Sequence, residues 1–295
     1  MRESSNPVMR GVIRDNQPAP YAGFGQAIPG GQAGMAQTGM MQANRQADPY
    51  QQNYAPASGR TITIDDVVMK TGMTLGVLVV VAIAAYAAIV TRGSDPVDQL
   101  TLAMPLMMVG GIGGFILVMI ASFGRKQDNP AIVLSYAAFE GLFVGAISFV
   151  FANVAVADGV SAGAMIGQAV LGTMGVFFGM LIVYKVGAVR VTPRFTRMLM
   201  AGLIGVMVLM LGNLVLGLFG VDMGIRSGGP IAIIFSLVCI ALAAFSFLLD
   251  FDSADQLVKA GAPQKAAWGV ALGLTVTLVW LYTEILRLLS YLNSD

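Results

Sequence analysis

The chain has 295 residues, of which 56% are hydrophobic and only 11% carry a charge. Soluble domains carry about 25% charged residues, so this composition excludes an ordinary soluble domain and indicates a membrane protein. The net charge of +1 argues against nucleic acid as a partner, because nucleic-acid binding needs a concentrated basic surface. The chain has no histidine and a single cysteine, Cys239, which argues against histidine-based catalysis, zinc sites and disulfides. We expect no cofactor and no enzymatic activity.

Residues 1–59 are rich in Gln, Gly, Ala and Pro and show no helical or strand periodicity. Such a composition cannot bury enough apolar surface to offset the chain entropy, so we predict a disordered tail followed by one membrane domain over residues 60–295. The stretch 61–70 predicts a short leading helix. Thr63 is its expected N-cap, and Asp65 and Asp66 fall in the first turn, where the helix dipole favours acidic residues.

Seven apolar segments follow, each near the roughly 20 residues that span a bilayer. They lie at about 70–90, 100–123, 131–152, 163–184, 198–219, 230–251 and 268–290. Pairs of glycines four residues apart recur within them, as is typical of closely packed membrane helices. The fold class expected from this pattern is all-α, a multi-pass bundle of seven transmembrane helices.

The lysines and arginines predict the orientation of the chain. Those near the N-terminus and in the loops on its side of the membrane make up 14 of the 17, and the other side has only Arg92, Arg226 and Arg287. Cytoplasmic loops carry an excess of Lys and Arg, so we expect the N-terminus in the cytoplasm and, after seven crossings, the C-terminus outside. This favours a multi-pass membrane protein, with the lipid bilayer as its surroundings.

Acidic side chains inside membrane segments cost from a few to over ten kcal/mol, so each is a candidate functional residue. The candidates are Glu140 in the third segment, Asp250, Asp252 and Asp255 at the end of the sixth, and Glu284 in the seventh. Arg125 closes the second segment on the side of Asp252. Plainer interpretations remain open: Arg125 as a membrane anchor, Asp250 and Asp255 in headgroup water, and Glu140 as a protonated packing residue.

Three stretches resemble the Bax inhibitor-1/YccA-like membrane proteins. They are ASFGRKQDNPAIVLSYAAFEGLFVGAIS at 121–148, FSFLLDFDSADQL at 245–257 and LVWLYTEILRLLSYL at 278–292. The tail, with its SSNP start, resembles the actinobacterial branch of that family, which implies a bacterial inner membrane. The resemblance implies a calcium leak that responds to protons, in which two carboxylates on the last two helices share a proton and engage an arginine. Calcium would be the transported ion and not a cofactor.

Under this resemblance Asp252 matches the first acid and Arg125 the arginine. Matching the family's Leu-Tyr-x-Asp to the letters LYTE at 281–284 makes Glu284 the second acid, whereas matching the later Leu-Leu-Arg puts the uncharged Thr277 there. Straight antiparallel helices would hold Asp252 and Glu284 at different depths, because each residue adds about 1.5 Å of rise. A pair of Asp252 with Asp250 or Asp255 therefore stays open.

The chemistry of such a pair follows from general principles. Two carboxylates in contact in a low-dielectric site do not both ionise easily, so a proton binds between them and its release can switch a helix packing. When ionised, Asp252 and Glu284 could contact Ca²⁺ transiently, since calcium takes only oxygen ligands. Two other functions remain open: a proton-coupled secondary transporter, and a regulator of membrane-protein turnover or stress that acts through unknown membrane-protein partners.

Overall fold

A computed structural model describes residues 60–93, 95–154, 156, 161–221 and 223–294. The described residues form seven long helices: α1 (Ile64–Val90), α2 (Pro96–Phe123), α3 (Pro130–Phe149), α4 (Ala162–Lys185), α5 (Pro193–Leu218), α6 (Pro230–Lys259) and α7 (Ala266–Leu292). One π-helical turn, Val150–Val154, extends α3. All seven helices are long and apolar enough to cross a membrane, which confirms the predicted all-α fold. The predicted tail, 1–59, lies outside the described residues.

Helix α1 joins the predicted leading helix and the first membrane segment into one continuous element. Thr63 caps it as expected: its hydroxyl accepts the Asp66 backbone N–H, and the Asp66 side chain accepts the Thr63 backbone N–H. This reciprocal capping satisfies two of the otherwise unpaired donors at a helix start. No proline interrupts the chain from Ile64 to Val90, so nothing separates the two predicted pieces.

Helix α6 continues to Lys259, eight residues beyond the predicted end at residue 251. It ends where Gly261 adopts a left-handed conformation, with φ of +63°. The helix therefore carries all three aspartates on its surface. Asp250 and Asp252 are two residues apart, so they point to different sides of α6, while Asp252 and Asp255 share a face.

Helix α7 is the centre of the bundle and the most buried of the seven. It packs against α1, α3, α4 and α6, while α2 packs mainly on α3, and α5 packs on α6 at the periphery. Because α7 is enclosed on several sides, the polar side chains that it carries face protein and not lipid.

The glycine pairs serve different helices unequally. A Cβ at Gly141 or Gly145 of α3 would lie 2.6 Å from the Leu78 carbonyl oxygen or 2.5 Å from that of Ala82, so α1 and α3 touch backbone to backbone. Gly110 of α2 approaches the α3 backbone equally closely. Among the described residues, the glycine pairs of α4 have no atom within 4 Å of such a Cβ (Gly163, Gly167, Gly175, Gly179). Close packing through glycine is thus confirmed around α3 and is not found on α4.

Candidate functional site

Asp250 faces α7 from the middle of the α6–α7 interface. Its Oδ2 accepts a hydrogen bond of 2.7 Å from the Thr277 hydroxyl, which also lies 3.2 Å from the Gly273 carbonyl oxygen. A Cβ at Gly273 would lie 3.5 Å from Asp250 Oδ1, so the glycine leaves the second carboxylate oxygen uncovered on that side. Thr277, one of the two positions considered for the second acid, therefore meets Asp250 and not Asp252.

Asp252 and Asp255 lie on another face of α6. Asp252 Oδ2 accepts a hydrogen bond of 2.6 Å from Gln256, and Asp255 Oδ2 pairs with Lys259 at 2.5 Å. The Tyr184 hydroxyl of α4 donates to Asp255 at 3.4 Å. These two carboxylates thus face α4, near the end of the bundle that holds the N-terminus of α1.

Glu284 lies inside the bundle, 1% exposed, as expected from the cost of placing it in lipid. Its Oε1 accepts a hydrogen bond of 2.6 Å from Arg287, which is itself only 7% exposed and lies over the Phe151 ring at 5.5 Å. Arg287 is thus buried in an ion pair with Glu284 inside the bundle. The second oxygen, Oε2, accepts no hydrogen bond from the described residues.

The pair that we considered between Asp252 and Glu284 does not form. Glu284 interacts electrostatically with Cys239 of α6 and with Arg226 of the α5–α6 connection. Cys239 precedes Asp252 by thirteen residues, which is about 20 Å along a helix. Within the described chain no two of the candidate carboxylates touch, and no three His, Cys, Asp or Glu side chains gather as a metal site.

Arg125 is exposed just past the end of α2, with a left-handed φ of 52°, and no described carboxylate pairs with it. It lines a small cavity together with Asp128, whose carboxylate accepts a hydrogen bond from Lys265 at 2.7 Å. The hydrogen bond from Lys265 lowers the pKa of Asp128. This ion pair joins the α2–α3 and α6–α7 connections, and the sequence analysis did not find it.

Asp66 makes a second contact that the sequence did not reveal, with Gln264. Its carboxylate is 4% exposed and accepts hydrogen bonds from Thr63 and, at 2.8 Å, from Gln264. Backbone hydrogen bonds between residues 60–62 and 262–264 run beside it. The start of α1 is therefore fastened to the connection that leads into α7.

Glu140 is half-buried at the α2–α3 interface, away from the other candidates. A Cβ at Gly114 of α2 would lie 2.5 Å from its Oε2, and Tyr136 lies one turn before it on α3. The carboxyl group thus occupies the space that Gly114 leaves empty. Its position is that of a packing residue between α2 and α3 and not of a partner for Asp250.

A search of curated proteins finds no relative of this chain. A family model described as Bax inhibitor 1 like matches residues 27–294, which is most of the sequence. The chain belongs to the Bax inhibitor 1 like family of membrane proteins.

Proposed function

We propose that the protein lets calcium pass down its gradient across the membrane, and that proton binding to Asp250 controls the leak. Membership of the Bax inhibitor 1 like family supports this function in general. The single observation that supports Asp250 as the control point is its contact with the neutral Thr277 hydroxyl in the α6–α7 interface.

The surroundings of Asp250 suit a group that gains and loses a proton. Among the described residues its hydrogen-bond partner is a hydroxyl and not a cation, so no fixed positive charge holds it ionised. Binding a proton would remove one full negative charge from the interface between two helices. Such a change can select between two packings of α6 on α7 if their free energies lie close together.

The same place offers oxygen atoms to a passing cation. Asp250 contributes two carboxylate oxygens, and the Thr277 hydroxyl and the Gly273 carbonyl lie beside them. Hard cations such as Ca²⁺ bind oxygen ligands only, and a small, incomplete set suits transit more than tight retention. In this proposal calcium is cargo.

The other candidates take supporting roles in the proposal. Asp252 and Asp255 raise the local concentration of cations at the end of α6, through the general effect of surface charge on a nearby pathway. Arg125 opposes them at the cavity beside α2. Glu284, in a buried ion pair with Arg287, stabilises the packing of α7.

Calcium flux into liposomes that contain the purified full chain, measured across pH, tests this function. Wild-type protein should conduct, with a rate that changes at least tenfold across the pH range. Asp250→Asn should flatten that profile, because its amide cannot exchange a proton. The matched control is Asp252→Asn, two residues away on the same helix, which should lower the rate modestly and keep the pH dependence.

Three results would contradict the proposal. Wild-type liposomes without calcium flux at any pH would reject the leak itself. A flat profile in Asp252→Asn together with an unchanged profile in Asp250→Asn would move the switch to the face of α6 that contacts α4. Calcium accumulation against its gradient, driven by an imposed proton gradient, would identify a transporter.

A further inference from the structure

The connection between α4 and α5 carries four cations and no acid. Lys185 ends α4, Arg190 lies in the connection, and Arg194 and Arg197 lie near the start of α5. From residue 159 to residue 221, a range that covers both helices, the sequence contains no Asp or Glu. Neither helix can therefore neutralise these four charges, which we call the α4–α5 basic patch. The patch lies at the end of the bundle that also holds the N-terminus of α1.

The four side chains of the α4–α5 basic patch are exposed, and none of them pairs with a carboxylate of the described residues. Three other cations at this end of the bundle do have carboxylate partners there: Arg60, Lys259 and Lys265. Asp255 of α6 accepts a hydrogen bond from Tyr184, the neighbour of Lys185, but is itself bound by Lys259. The basic patch therefore presents positive charge that the described part of the protein does not neutralise.

The packing of α5 fixes the direction in which its two arginines point. Phe195 contacts the edge of Phe245 on α6, with the ring centroids 6.0 Å apart, and Leu199 is buried. Arg194 and Arg197 are three residues apart and exposed, so they share the side of α5 that is turned away from α6. Arg194 also lies in the first turn of α5, which contains no acidic residue, and the helix dipole disfavours a cation there. An anion outside the described protein would offset this cost.

Exposed apolar side chains lie directly beside the cations. Ile182 precedes Lys185 by one turn, Val186 follows it, and Met198 follows Arg197, and all three are more than 60% exposed. Both helices are long and apolar enough to cross a membrane, so their ends lie where hydrocarbon meets lipid headgroups. Apolar side chains at this depth contact acyl chains, while Lys and Arg reach the headgroups. A dissolved anion would have no use for these apolar neighbours, so the surface fits a lipid.

We propose that the α4–α5 basic patch binds the phosphate groups of anionic membrane lipids. Guanidinium groups suit this partner, because two parallel N–H groups of one arginine can bind two oxygens of one phosphate. Each Lys or Arg close to an anionic lipid surface contributes roughly fivefold to binding. The proposal goes beyond the calcium leak and does not depend on it, since it concerns a surface away from Asp250.

Native mass spectrometry of the purified full-length protein tests lipid binding without any need for calcium flux. The protein in detergent is mixed with phosphatidylglycerol or with phosphatidylcholine that has the same acyl chains, and the lipid retained per protein is measured. Wild type should retain about tenfold more phosphatidylglycerol than phosphatidylcholine. The patch variant should lose this preference and keep the retention of phosphatidylcholine; it combines Lys185→Gln, Arg190→Gln, Arg194→Gln and Arg197→Gln.

Two control variants separate the patch from net charge and from folding. The first removes the same number of charges from other exposed positions at this end of the bundle and should keep most of the phosphatidylglycerol; it combines Arg125→Gln, Lys126→Gln, Lys259→Gln and Lys265→Gln. The second keeps the charge of the patch and should also bind phosphatidylglycerol; it combines Arg190→Lys, Arg194→Lys and Arg197→Lys. A further arm adds excess inorganic phosphate, compared with sodium chloride at equal ionic strength, and phosphate should displace no more lipid than chloride does.

Three results would overturn the proposal. Equal retention of the two lipids by wild type would show that the patch does not recognise an anionic headgroup. Equal losses in the two fourfold Gln variants would assign the binding to the overall charge of this end of the bundle. Specific displacement by inorganic phosphate would identify a site for a dissolved anion. If the fourfold patch variant is not monodisperse, Arg194→Gln with Arg197→Gln takes its place, with Lys259→Gln plus Lys265→Gln as its control and a loss of about fivefold or more expected.

Discussion

The α6–α7 interface holds two acidic sites that differ in their partners. Asp250 meets the neutral hydroxyl of Thr277, and Glu284, seven residues farther along α7, meets the guanidinium of Arg287. Glu284 is the more deeply buried, yet its charge is compensated, whereas the charge of the half-buried Asp250 is not. The partner, and not burial alone, therefore decides which acid suits a proton switch.

The physical reason lies in the cost of a buried charge. An ionised group in a low-dielectric interior is expensive unless a charge of opposite sign is hydrogen-bonded to it. Arg287 provides that charge for Glu284, so the ion pair is stable as long as both residues are present. Replacing either residue alone would leave the other charge buried without a partner and lower the free energy of unfolding. Asp250 can remove its own charge by binding a proton. The Glu284–Arg287 pair therefore stabilises the interface, whereas Asp250 can respond to a change in pH.

Arg287→Met should have the largest effect of the substitutions considered. It leaves Glu284 as an unpaired acid at 1% exposure, and breaking a buried pair from one side costs about 3–5 kcal/mol. We expect a loss of this size in the free energy of unfolding of the purified protein, measured in detergent by denaturant. A loss below about 1 kcal/mol would mean that the pair is not a fixed element.

A double variant distinguishes the loss of the ion pair from the effect of leaving Glu284 buried without its partner. Glu284→Met combined with Arg287→Met replaces the ion pair by apolar groups of similar volume, a change that is often neutral or stabilising. The double variant should recover at least half of the stability lost in Arg287→Met. Where enough protein reconstitutes, it should also keep the pH profile of the wild type, because the proposal places proton binding at Asp250. A flattened profile in the double variant would assign the switch to Glu284 after all.

The seven membrane helices were predictable because apolar length alone identifies a span. The capping by Thr63 was predictable because it depends on residues three apart. The sequence did not predict that the leading helix and the first span form one helix, α1, or that α6 continues to Lys259. Hydropathy falls at a membrane surface whether or not the helix ends there. Boundaries drawn from hydropathy placed Asp252 at the end of a helix that continues for two more turns.

The contacts within the site were harder to predict from the sequence. Sequence identified Asp250 and Glu284 as unusual, because both are acids in apolar surroundings. It could not rank them, since that depends on the register of α6 against α7, which fixes Thr277 opposite Asp250. The bonds of Asp128 to Lys265 and of Asp66 to Gln264 join residues far apart in the chain, and no local pattern marks them.

Thr277→Val tests the control of Asp250, and we expect a smaller effect than that of Arg287→Met. It removes the hydroxyl that donates to Asp250 and keeps the shape of the side chain, and hydrogen bonds to charged groups contribute about 1.5–3 kcal/mol. We expect a lower free energy of unfolding and a displaced midpoint in the pH profile of calcium flux. Thr277→Ser restores the donor and should behave as the wild type. An unchanged profile in Thr277→Val would remove this hydroxyl from the control of Asp250.

Asp128→Asn should have the smallest effect, because its partner Lys265 is exposed and such pairs contribute about 0.2–1 kcal/mol. The hydrogen bond from Lys265 lowers the pKa of Asp128 in the folded protein, so its contribution is fully present above the unfolded value of about 3.9. The contribution disappears as the pH falls through the lower, folded pKa. The difference in unfolding free energy between wild type and Asp128→Asn should therefore be small at neutral pH and vanish in acid. A loss of unfolding free energy as large as that of Arg287→Met would show that solvent exposure does not weaken the Asp128–Lys265 pair. Burial would then no longer explain why the Glu284–Arg287 pair contributes more to stability.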